Sequence, residues 1–131
     1  MRRLAFVLAP LLAALAGCGD DGSKSGGSVT VDAGQTVDVK ADEYSFDPAT
    51  ITIRAGGGGK PAAVRFRMRN VGSLPHDIHV RAGDDDRGGT EPIGGGETVE
   101  GTVTLPPGDY RLFCSIGDHE DLGMRGKLVV R

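Results

Sequence analysis

Tryptophan is absent from the chain, aromatic residues make up 5% of it, and there are two cysteines and three histidines. With so few aromatic rings there is no stacking platform for bases. No run or tail of lysine and arginine accompanies the net charge of −3, so nucleic acid is excluded as a partner. No pair of carboxylates and no serine–histidine arrangement is spaced for hydrolysis. Three histidines are also too few for a second, catalytic metal centre beside a first one. Enzymatic activity is therefore not expected. Long apolar runs are equally scarce: there is one, Leu4 to Ala16, and it is too short to span a bilayer comfortably.

That run follows Met1-Arg2-Arg3 and has the layout of a secretory signal. It ends in Leu15-Ala16-Gly17-Cys18, which resembles the lipobox of bacterial lipoproteins. The resemblance implies cleavage after residue 17 and acylation of Cys18. An ordinary signal peptide with an incidental cysteine, or an uncleaved anchor, is the duller alternative. The residues thus divide into a signal peptide (1–17), a lipidated cysteine with a flexible tether rich in Gly, Ser, Asp and Lys (18–28), and one domain (29–131). The expected location is outside the cytoplasm, on the outer face of the bacterial cytoplasmic membrane or in the periplasm. In such an oxidising compartment Cys114 has no disulfide partner once Cys18 carries lipid, and a bound metal would protect it.

From Val29 onward the dominant pattern is alternation with period two. Val37 and Val39, Ile51 and Ile53, and Val64, Phe66 and Met68 each alternate with polar or charged residues. So do Ile78 and Val80, Val99 and Val103, Tyr110, Leu112 and Cys114, and finally Leu128 and Val130. Turn chemistry bounds each run, as in Pro106-Pro107-Gly108-Asp109. The pattern predicts an all-β fold, an antiparallel β-sandwich of seven or eight strands. Parity turns His79 outward into solvent, and Asp84-Asp85-Asp86 is read as a solvated loop.

The residues with distinctive chemistry cluster near the end. Cys114, His119 and Met124 are separated by four residues each and share one loop after a strand. His76 lies upstream with the parity of Ile78 and Val80, so its ring faces inward. One thiolate, two imidazoles and a thioether form the ligand set of a blue-copper electron-transfer site. Separately, Cys114 could be a small core residue, His119 a surface residue and Met124 core filler; together those coincidences are improbable. Asp77 and Ser115 are candidates for a hydrogen bond tying the His76 strand to the Cys114 loop.

These pieces resemble the cupredoxins, the type 1 copper family of plastocyanin, azurin and rusticyanin. The matching residues are Asn70-x-Gly-x-x-Pro-His76, Tyr110-x-x-Phe-Cys114, His119, Gly123-Met124-x-Gly126 and the closing Leu128-Val129-Val130. Glu43-Tyr44-Ser45-Phe46-Asp47-Pro48 with Ile51-Thr52-Ile53 is similar to the family's opening strands. The resemblance spans Thr36 to Arg131. The spacing around His119 is closer to rusticyanin than to plastocyanin. Asp118 and Asp77 depart from the family's usual residues beside the ligands.

The resemblance implies a Greek-key sandwich holding one type 1 copper ion through His76, Cys114, His119 and Met124. It also implies a monomer that passes single electrons, with the His119 ring edge reaching the surface. Leu74, Pro75, Ile116 and Leu122 are the expected docking patch for a redox protein such as a c-type cytochrome, an oxidase or a reductase. Phe113 offers a lateral path. The competing readings are a copper-binding or copper-delivering lipoprotein without a redox partner, and a copper-free interaction module.

Overall fold

The computed structural model describes residues 26–131, so the signal-like run, Cys18 and most of the tether lie outside the described residues. Among these residues, ten strands form in chain order. They are β1 (Ser28–Asp32), β2 (Thr36–Asp42), β3 (Ser45–Asp47), β4 (Thr50–Arg54), β5 (Ala62–Asn70), β6 (His79–Ala82), β7 (Asp85–Gly89), β8 (Thr98–Leu105), β9 (Gly108–Phe113) and β10 (Arg125–Val130). They build a six-stranded sheet in the order β1-β4-β10-β9-β6-β7 and a four-stranded sheet in the order β3-β2-β5-β8. The count exceeds the expected seven or eight because the short β3 and the charged β7 carry little apolar alternation to announce them. Gly27 and Ser28, read above as tether, already belong to this framework. The Gly27 carbonyl accepts from Ala49 and Thr50, and β1 starts at Ser28.

Most pairings are antiparallel, but β1–β4, β4–β10 and β2–β5 are parallel. Each parallel pair is joined by chain that crosses to the other sheet, which is how a Greek-key sandwich brings distant strands side by side. Period two governs which side chains meet. In β5, Ala62, Val64, Phe66 and Met68 point inward while Arg65, Arg67 and Arg69 point to solvent. They pack with Val37 and Val39 of β2 against Ile51 and Ile53 of β4, Leu112 of β9 and Leu128 and Val130 of β10. At β5's far end the inward position falls on a polar residue, the fully buried Asn70. Tyr110 closes another edge, its hydroxyl donating to the Pro106 carbonyl at 2.6 Å.

Two local expectations change. Asp85 and Asp86 are part of edge strand β7 rather than of a loop. His79 is half-buried, with Nδ1 2.9 Å from Asp86 and Nε2 3.7 Å from the carboxylate of Asp77. Outward parity means solvent only where no neighbour covers the face, and here β7 brings Asp86 across it.

Candidate metal centre

Three potential donors converge at one end of the sandwich. Potential ligand atoms of His76, Cys114 and His119 all lie within 4.8 Å of one another, and all three residues are buried. Cys114 follows directly on β9, its inward parity shared with Leu112. His76 is fixed by a two-bond backbone bridge to Ile93, at 3.0 and 2.9 Å. The loop from Cys114 to Met124 closes on itself: the Cys114 N–H donates to the Met124 carbonyl at 3.1 Å, and the Met124 N–H to the His119 carbonyl at 3.0 Å. Gly123 permits that return with φ 115°, a conformation that disfavours any Cβ. Met124 is fully buried within the same core.

The donor atoms fit a metal. Cys114 Sγ is 3.6 Å from His119 Nδ1, and the two imidazole rings are 5.1 Å apart between centroids. His76 Nδ1 is buried with no hydrogen-bond partner, whereas its Nε2 is 2.9 Å from Glu43 Oε1. A buried ring nitrogen is rarely left alone unless something else occupies its lone pair. Burial pushes the Cys114 thiol upward, while the backbone N–H groups of Asp77 and Ile116 pull it the other way. Since the thiolate is the ligand form, a metal held there would take Cys114 without its proton.

The surroundings hold these groups still. Asp77 is buried and accepts from the Ser115 N–H at 2.7 Å and from the Ser115 hydroxyl. Arg81 of β6 grips Glu120 of the Cys114 loop through two bonds, at 2.9 and 2.5 Å, and lies 4.7 Å over the Phe113 ring. Asn70 donates to the carbonyls of Leu74 and Ile93 at 2.7 and 3.0 Å and accepts from Gly72 at 3.0 Å. Of the proposed docking residues, Leu74 is 41% exposed and Leu122 52%, Pro75 is exposed, and Ile116 is half-buried against the core. Val71, also exposed, flanks the same loop and was not among them. A separate groove of about 600 Å³ along β9 and β10 contains none of the donor residues.

Sequence reasoning missed the dipeptide Glu43-Tyr44. It joins β2 to β3 and touches both histidines: Glu43 meets His76, and the Tyr44 ring meets His119 edge-on at 5.0 Å. The only signal was its place in the opening-strand motif.

The profile of the family described as copper binding proteins, plastocyanin/azurin family, matches residues 33–131. The chain belongs to that family. As a cupredoxin it is similar to auracyanin-A of Chloroflexus aurantiacus, with 28% identity over 95% of this chain and 93% of that protein. It is also similar to the copper-resistant cuproprotein CopI of Rubrivivax gelatinosus, with 31% identity over 71% of this chain and 64% of that protein. Among solved structures, auracyanin A of Chloroflexus aurantiacus superposes with a TM-score of 0.60 at 26% identity, over 80% of this chain and all of that one. The auracyanin of Roseiflexus castenholzii gives 0.64 at 20% identity over 76% and 98%, a likeness of fold. Copper is accordingly the metal that this cupredoxin's buried thiol and imidazoles fit.

Proposed function

We propose that the protein is a lipid-tethered, extracytoplasmic carrier of single electrons that uses one type 1 copper ion held by His76, Cys114, His119 and Met124. The observation that carries this reading is the buried trio of donors with an unpartnered His76 Nδ1. Bound copper supplies a one-electron couple. The chain supplies rigidity: the Cys114 N–H is bonded to the Met124 carbonyl just beyond β9, and His76 is bridged to Ile93 by two backbone bonds, so neither need move between oxidation states. His119 is 8% exposed and lies in the loop that also carries Leu122. With Leu74 and Pro75 that end offers a small apolar face suited to brief, weak encounters with a redox partner. The partner is a redox protein such as a c-type cytochrome, an oxidase or a reductase, and not nucleic acid, for which the chain has no basic run or tail and no aromatic stacking platform.

Copper-loaded protein is expected to exchange electrons reversibly with a c-type cytochrome in stopped-flow mixing, and Leu122→Asp to slow that exchange without altering the visible spectrum. A normal spectrum with no exchange toward cytochromes, oxidases or reductases would favour the second reading, copper binding or delivery. That reading is supported by the likeness to a copper-resistant cuproprotein. The tether is tested separately. Labelled fatty acid should be incorporated by the full chain and not by Cys18→Ser; equal labelling of both would remove the anchor.

A further inference from the structure

Glu43 is bonded more densely than a turn carboxylate requires. Its Oε1 accepts from the backbone N–H groups of Ser73 at 2.9 Å and Leu74 at 2.8 Å, and it faces His76 Nε2 at 2.9 Å. Three donors around one oxygen suit an anion. An ionised carboxylate only accepts, so the proton between it and His76 belongs to Nε2. The lone pair is then left on Nδ1, the buried nitrogen without a partner.

Space around the group is committed as well. A Cβ on Gly72 would come within 2.3–2.6 Å of the Glu43 carboxylate, so glycine there leaves the space that the carboxylate occupies. Asn70 independently ties the same loop through Gly72 and Leu74. Glu43 is therefore not needed merely to order the turn, and its distinctive contact is the one with the imidazole.

We infer that Glu43 is a positioning residue of the metal centre: its carboxylate fixes His76 with the proton on Nε2, and its negative charge, one ring away from Nδ1, favours the oxidised state of a metal bound there. This rests on the copper reading of the site. A carboxylate bonded to the far nitrogen of a ligating histidine raises that ligand's basicity, which stabilises the more highly charged ion.

The test is Glu43→Gln, which keeps the length and one acceptor oxygen but removes the charge. The variant should keep its visible band. Equilibrated with a mediator of fixed potential, its Cu(II)/Cu(I) ratio should shift about tenfold toward Cu(I), about 59 mV for one electron. A loop staple alone would change the denaturation midpoint and leave that ratio untouched. A band that persists with a ratio changed by less than about twofold overturns the proposal, being far below the effect expected of such a partner. Nitrogen-15 NMR of the metal-free natural protein at pH 8 supplies a second arm that requires no variant. It should find His76 protonated at Nε2; a proton on Nδ1 overturns the inference even if the variant fails to fold. Failure of the copper reading would look different, because the natural protein itself would then lack the visible band.

Discussion

Replacing Cys114 with serine should abolish the intense visible absorption of the copper-loaded protein while leaving the sandwich folded. Cys114 Sγ sits 3.6 Å from His119 Nδ1, just after β9, in a residue only 2% exposed. A serine hydroxyl occupies nearly the same volume but supplies no thiolate, and charge transfer from thiolate to copper is the source of the colour. The backbone N–H groups of Asp77 and Ile116 that face the sulfur would face an oxygen instead, so those donors keep an acceptor. The stability cost should stay near about 1 kcal/mol, the scale of one altered hydrogen bond. Absorption spectra and chemical denaturation of both proteins check the two halves of this expectation. A variant that unfolds, or one that stays intensely coloured, contradicts it.

Asn70→Ala should loosen the turn between β5 and His76 and lower the protein's stability. Asn70 is wholly buried, and its side chain meets the Leu74 and Ile93 carbonyls and the Gly72 N–H. Alanine removes this partner from all three; the Ile93 carbonyl still accepts from the His76 N–H, but the Leu74 carbonyl and the Gly72 N–H lose this bond in a half-buried turn. Each unsatisfied buried group costs about 1–3 kcal/mol, and with two half-buried groups affected the sum should be about 2 kcal/mol. That is a large fraction of the roughly 5–15 kcal/mol by which a domain is stable. The loop so loosened delivers His76 and exposes Leu74, so bound copper should also be lost faster to a chelator. Denaturant midpoints of the metal-free proteins measure the first effect and chelator kinetics the second. A midpoint unchanged from the natural protein would show that Asn70 does not hold this loop.

Much of this arrangement was legible in the chain because period two reports side-chain direction directly. Val64, Phe66 and Met68 turn inward and the three intervening arginines outward in β5, as alternation requires. The same logic places Cys114 beside Leu112 in the interior. Parity carries no information about strand direction, which is why the parallel partnership of β4 with β1 and β10 could not be read. Nor does it say what lies over a face. His79 turns outward, yet β7 supplies Asp86 to cover it. Glu43 was hidden for a different reason. It meets His76 across 33 residues of sequence, from a turn whose position depends on the pairing of β2 with β5.

The interior donors nonetheless declared themselves by type and spacing alone. The structure adds which nitrogen of His76 is free, and a tyrosine and a glutamate behind the two imidazoles. Both additions bear on how the site is held rather than on which residues form it.

If His76, Cys114 and His119 hold one copper ion through the Cys114 thiolate, that ion must be intensely coloured and reversibly redox-active. Loading the metal-free protein with one equivalent of Cu(II) and recording its visible absorption during a reductive titration tests it most directly. An intense blue or green band should saturate at one copper per chain, bleach on uptake of one electron and return on reoxidation. A weak, pale band like that of copper bound to ordinary surface nitrogen and oxygen ligands, or one that bleaches irreversibly, would contradict it.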